Sequence, residues 1–313
     1  MEADQVLAHP ALGTCVRRQA EALMQLHQAS PRLASPFASQ QRWLMSQAAL
    51  AQYFRNEASA PGSGLLAERV AGLAMRHGLA SRNTAAAFIS EMLKYDIVRH
   101  IAGSAGKRAR PLEPSPRTLA MLLHWLALHL ATLDALDGGQ RSAALSAQPA
   151  LLPMIQPLVA DGLLASREVR KPSRTFSLFT WVNDGGVVMD RLIAGCRLQD
   201  GETQDDETRT GETGSGDSDA VLGRVTTDVT AVSGLARRLN LSRTQLGRKL
   251  AAAEAMGSLG WSGRRGRSPL WVSDGFRHEY HKAQSVKLAI IDAAFEACFE
   301  GEHGLGISDA VSA

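Results

Sequence analysis

The chain has 313 residues, 45% hydrophobic, 21% charged and only 5% aromatic, with a formal charge of +3. That length can bury a sizeable core and suits two domains or one duplicated unit, while an Ala- and Leu-rich, aromatic-poor composition favours helices. Cys15, Cys196 and Cys298 are odd in number and far apart with no CxxC pair, which argues against a disulfide framework or a thiolate zinc site and for a reducing, cytoplasmic setting.

The N-terminus, MEADQVLAHPALGTC, has acids where an export signal carries positive charge, so no export is expected. An apolar-patterned segment, FASQQRWLMSQAALAQYF from Phe37, leads into a short helix around Leu66 to Arg76, a turn, and a second helix opening at Ser81. Ala85, Ile89 and Met92 share one face of that helix at helical spacing. Arg82, Asn83, Ala86 and Ser90 fall on the opposite face. A short strand pattern, DIVRHIA, follows, and then GSAGKRAR, residues 103 to 110. This loop is not a nucleotide-binding P-loop. Lys107 is followed by Arg108 rather than Ser or Thr, Ile101 stands five before Gly106, and a helix pattern precedes it where a P-loop wants a strand.

LAMLLHWLALHLATLDAL, Leu119 to Leu136, lines Leu119, Leu122, Leu126, Leu130 and Leu133 along one side. Its 18 residues sit at the short end for a membrane span, and His124, His129 and Asp134 interrupt it. It reads as a buried core helix, with no membrane partner. Residues 199 to 220 hold eight acids and one Arg, a net of −7, so the rest of the chain carries +10. Such a balance favours polyanionic partners. The acidic segment cannot bury apolar surface and is expected to be a flexible, tolerated insertion, competition with DNA for the basic face being the alternative.

A repeat then emerges. LARRLNLSRTQLGRKLAAAEAMGSL, from Leu235, lies on LAMRHGLASRNTAAAFISEMLKYDIV, from Leu73, with a one-residue gap before the Ser-Arg pair. GRRGRS from Gly263 falls on GSAGKR from Gly103. The second copy has a short helix over Ser233 to Arg238, a capping box at Ser242 and Gln245, and a helix whose inner face is Leu246, Leu250 and Ala253. Its outer face carries Arg243, Thr244, Gly247 and Arg248. Strand patterns GSLGWS and SPLWVS flank the basic loop, and a long helix from Phe276 to Phe299 follows, with Tyr280, Val286, Ile290 and Ala293 as its apolar stripe.

The order helix, turn, helix, strand, basic glycine loop is that of a winged helix-turn-helix. The expected fold is therefore mostly α with small β wings: tandem winged units joined by long apolar helices. The halves are 1–145, with its unit at about 64–113, and 146–313, with its unit at about 221–274. Arg82, Asn83, Ser90, Arg243, Thr244 and Arg248 are the candidates for reading base edges. Lys107, Arg108, Arg110, Arg264, Arg265 and Arg267 are the candidates for wing contacts to phosphate or the minor groove.

An N-terminal helix, a winged unit and a long apolar C-terminal helix together resemble the MarR family of bacterial transcription regulators, here as two copies in one chain. The resemblance implies a pseudo-dimer on double-stranded DNA, or a further homodimer of such chains. It also implies a small-molecule effector site, for which His124 and Trp125 are candidates. Family members are about half this length and symmetric, whereas the two recognition helices here differ and the acidic insert has no counterpart in the first copy. The expected function is sequence-specific transcription regulation. The alternatives are a plasmid-type replication initiator, which likewise carries two unlike winged helices, and a winged-helix protein-interaction module. No GxSxG elbow or HExxH pair occurs, and His278 with His281 lacks a third ligand nearby, so neither enzyme activity, cofactor nor metal is expected.

Overall fold

The structure, a computed structural model, describes residues 1–29, 39–104, 110–181, 185–197 and 223–306, with side chains up to Phe299. The protein is mostly helical with small antiparallel sheets. Its first part runs α1 (Ala3–Ala8), α2 (Leu12–Ala29), α3 (Gln40–Ser59), α4 (Ala67–Arg76), α5 (Arg82–Lys94), β1 (Val98–His100), β2 (Leu112–Pro114) and α6 (Pro116–Asp137). Next come α7 (Arg141–Ala147), a 3-10 turn at Pro149–Leu151, α8 (Leu152–Ala165), α9 (Arg167–Arg170), α10 (Arg174–Thr180) and α11 (Gly185–Ala194). The last part is β3 (Arg224–Thr226), α12 (Val232–Arg238), α13 (Arg243–Ala255), β4 (Leu259–Trp261), β5 (Leu270–Ser273) and α14 (Asp274–Gly306). The acidic segment 199–220 lies outside the described residues.

The segments α4–α5–β1–β2 and α12–α13–β4–β5 share a hydrogen-bond framework position by position. Each helix pair turns through a left-handed residue, Gly78 (φ 64°) or Asn240 (φ 54°), residue types that adopt this backbone at low cost. Each turn is closed by the same bond, Leu79 N–H to Ala74 O at 2.8 Å and Leu241 N–H to Ala236 O at 2.8 Å. Ser81 and Ser242 then cap α5 and α13, their hydroxyls accepting from the Thr84 amide at 3.2 Å and the Gln245 amide at 3.5 Å. A second left-handed residue, Asp96 or Gly257, ends each helix. Ile97 N–H to Met92 O and Ser258 N–H to Ala253 O, at 2.9 and 3.0 Å, lead both chains into their strands.

The sheets match as well. In the second unit the strand order is β3-β5-β4. In the first, β1 pairs with β2, and Leu65 bridges Leu112 in the place that β3 takes against β5. Ile101 N–H to Pro111 O (3.1 Å) and Ser262 N–H to Pro269 O (2.9 Å) hold the bases of the two basic loops. Both long helices then start at a serine: Ser115 accepts from the Thr118 amide at 3.3 Å and Ser273 from the Phe276 amide at 3.1 Å.

The packing of helices on one another also comes in pairs. α1 packs on α14 as α7 packs on α6; α2 packs on α6 and α11, as α8 packs on α14 and α3; and α6 meets α14. The pairing is that of an approximate internal two-fold in which the halves exchange elements. One core therefore runs through both. Arg141, at the start of α7, binds Asp134 and Asp137 on α6 and reaches Asp292 on α14 at 2.7 Å. Asp134 also accepts the Arg141 and Ser142 amides, both at 2.9 Å, so this carboxylate faces the positive end of α7. Two buried amide pairs cross the halves, Gln156 to Gln47 at 2.6 Å and Gln19 to Gln284 at 3.0 Å.

α6 is the described helix with the length and composition to cross a membrane. Here Leu122, Leu126, Leu130 and Leu133 are buried against neighbouring helices, each worth roughly 1.5–3 kcal/mol of burial. The expected stripe of α14 needs correction. Tyr280 is buried, but Val286 and Ile290 are half-buried and Ala293 is exposed. The buried face runs through Phe276, Tyr280, Gln284, Ser285, Leu288, Ile291, Asp292 and Phe295, and apolar patterning misses it because three of these residues are polar.

Candidate functional site

Both second helices keep one face on the core and leave the other open. Ala85, Ile89 and Met92 on α5 and Leu246, Leu250 and Ala253 on α13 are all below 5% exposed. Arg82, Asn83 and Ser90 are exposed, as are Arg243, Thr244 and Arg248. Arg110, Arg264, Arg265 and Arg267 are also exposed, while Lys107 and Arg108 lie outside the described residues. The helices thus present their basic and small residues outward beside the basic loops.

The electrostatics of the two units differ. In the first, Arg82 pairs with Glu68 at 3.0 Å, Arg99 with Glu113 at 2.8 Å, and Arg42, reaching over from α3, with Glu91 at 2.8 Å. In the second, Arg265 approaches Glu254 at 3.7 Å. Arg243, Arg248, Arg264 and Arg267 make no ion pair among the described residues. Counted from the sequence, residues 64–114 hold eight Lys or Arg against four acids, and residues 223–273 hold nine against two.

Beside these surfaces, between α2, α3, α6, α10, α11 and α14, lies a cavity of about 560 Å³, a size usual for small-molecule sites. Trp125 lines it, facing Trp43 with ring centroids 6.2 Å apart. His124 is exposed and is not among the lining residues. The buried histidine of α6 is His129, whose Nδ1 sits 2.8 Å from the Trp125 carbonyl. Burial, with the Lys287 charge adding to it, holds that imidazole down at about 3, so it is neutral at pH 7.

One end of the cavity is polar. The Tyr280 hydroxyl donates to Asp190 Oδ1 at 2.7 Å, and the Lys287 ammonium donates to Gln284 Oε1 at 3.0 Å. Burial pushes the Asp190 carboxyl up to about 6, against the Tyr280 hydrogen bond and the Lys287 charge. Burial likewise lowers Lys287 to about 8, with Asp190 opposing. At pH 7 both are mostly charged. Sequence reading missed this group because Asp190 and Tyr280 are far apart in the chain and neither stands in a motif. His281, on the same helix, is lowered to about 4 by burial, and no cluster of three or more potential metal ligands occurs among the described residues.

Hydrogen bonds connect the cavity walls to both units. On α3, which contributes Trp43 and Gln47, Gln41 donates to the Leu79 carbonyl at 2.5 Å. On α10, which contributes Phe176 and Thr180, Phe179 O accepts from Lys249 of α13 at 2.9 Å, and Thr175 bonds Ser258 at 2.8 Å. No protein-family model, curated protein or solved structure matches this chain.

Proposed function

We propose that the chain is a sequence-specific, double-stranded-DNA-binding transcription regulator of the cytoplasm that acts by binding rather than catalysis. Its two helix-turn-helix units serve as unlike winged helices in a MarR-like pseudo-dimer. The observation that carries this reading is the open basic face of the second unit, where Arg243 and Arg248 on α13 stand with Arg264 and Arg267 of the adjacent loop, exposed and unpaired among the described residues. Exposed guanidinium groups on one helix, backed by a basic hairpin, suit guanine edges in the major groove and phosphate beside it. The recurrence of the same backbone framework supports two such DNA-facing surfaces per chain.

A gel-retardation assay with bulk DNA at low salt tests the reading. Binding that weakens steeply with added salt is expected; failure to bind would leave the protein-interaction alternative. Footprinting should then show two unlike half-sites about one helical turn apart per chain, and the genomic position of those sites, promoter or repeated origin element, separates a regulator from a replication initiator.

A further inference from the structure

The cavity offers an internal control on its own chemistry, because α6 and α14 occupy equivalent places in the two halves. Counting each helix from its capping serine, Tyr280, Gln284 and Lys287 of α14 stand where α6 has Leu122, Leu126 and His129. Leucines therefore satisfy the framework at two of these places, and packing alone does not call for the polar residues. Burying them is costly unless their valences are used. Tyr280 and Gln284 are at most 3% exposed. The bonds described leave capacity over: Asp190 accepts one hydrogen bond from Tyr280, and the Lys287 ammonium donates one of its three protons to Gln284. The ammonium and carboxylate interact electrostatically, which places them at the same end of the space. Away from that end, Leu23, Leu26, Trp43, Met121, Trp125 and Val286 supply an apolar surface.

We infer that this cavity binds a compact, uncharged ring compound whose head both donates and accepts hydrogen bonds, such as a phenol, an aromatic amide or a hydroxylated ring. The head donates to Asp190 and accepts from Lys287, and the ring lies against Trp43 and Trp125. An anionic or cationic head is disfavoured because the site already holds one charge of each sign, and a third has no buried partner. A neutral donor–acceptor group uses both spare valences without adding charge. The inference does not depend on whether the basic faces bind DNA.

Titration calorimetry of the full chain with three probes of like shape, 2-naphthol, 2-naphthoate and 2-naphthylmethylammonium, tests it. The naphthol should bind tightest and quench the tryptophan emission. Asp190→Asn and Lys287→Met should each weaken naphthol at least about tenfold, the effect of removing one hydrogen bond to a charged group. Met121→Trp, which fills the cavity from the opposite wall, should abolish binding while the circular dichroism stays that of the parent; this variant decides the matter if either polar variant fails to fold. Tighter binding of either charged probe, or naphthol affinity unchanged by Met121→Trp, would overturn the proposal, as would no binding by any probe.

Discussion

The first helix-turn-helix unit and the second are built alike and charged differently. Their turns, caps and strand entries repeat bond for bond, yet the first lays acids beside its arginines and the second leaves four exposed arginines without an ion pair among the described residues. Backbone geometry is set by a few residues, namely a left-handed turn residue, a capping serine and three apolar positions, so the outward face can change without disturbing it. If the faces bind DNA, the second unit provides most of the electrostatic grip, and the first contributes mainly through shape and polar groups.

The strongest way to break that comparison is to neutralise each face in turn. Replacing Arg243, Arg248, Arg264 and Arg267 by Ala should flatten the log–log salt dependence of DNA binding by up to about four units, one for each phosphate that no longer meets a guanidinium. The corresponding set in the first unit, Arg82, Lys107, Arg108 and Arg110, should have the smaller effect, because Glu68 already engages Arg82. Equal slopes would remove the asymmetry.

The equivalent pair His129 and Lys287 sharpens it by pH. His129 is lowered in the fold from 6.5 to about 3. Its contribution to stability is therefore full above pH 6.5 and is lost as pH falls from 6.5 toward 3, by about 2–4 kcal/mol. Asp190 works the other way. Its pKa is raised from 3.8 to about 6, so stability is recovered as pH falls through that window and masks part of the loss. His129→Leu should accordingly flatten or reverse the acid decline of the melting temperature, and a decline unchanged from wild type would show that other groups set it.

Single substitutions on α13 come next. Arg243→Ala or Arg248→Ala should cost about 1–3 kcal/mol on a specific site and relax preference at one base position, read by competition with single-base variants. Uniform loss across random sequence would instead make these residues backbone anchors. The smallest effect is expected from Glu68→Gln, which frees Arg82. Both side chains are largely exposed, and such pairs are worth about 1 kcal/mol or less, so a slight tightening on bulk DNA at low salt is the expected result, whereas a weaker complex would show that Glu68 does more than occupy Arg82.

The faces that a helix turns inward were legible in the sequence wherever they are apolar. Leu246, Leu250 and Ala253, like Ala85, Ile89 and Met92, are buried as their spacing indicates. Gly78 and Asn240 mark the turns for the reason such residues usually do, their ease in the left-handed region. The third strand of each sheet was not legible: β3 is three residues long, and Leu65 makes a lone bridge. Nor was the exchange of helices between halves, since nothing local tells α3 to pack on α8. The polar end of the cavity was hidden in the same way, because Asp190, Tyr280, Gln284 and Lys287 acquire meaning only once α11 and α14 are adjacent.

The reach of Arg141 from α7 to both Asp134 and Asp292 has one further consequence. In an assembly of two identical subunits, a group near the symmetry axis meets its own copy, and the partnership dissolves on dilution. Here unlike groups meet, His129 with Lys287 and one arginine with carboxylates of both long helices, and the join between halves forms once, during folding. Occupancy of a bipartite target by such a chain should follow the first power of its concentration down to the lowest levels, giving a graded dose response where separable subunits would give a threshold.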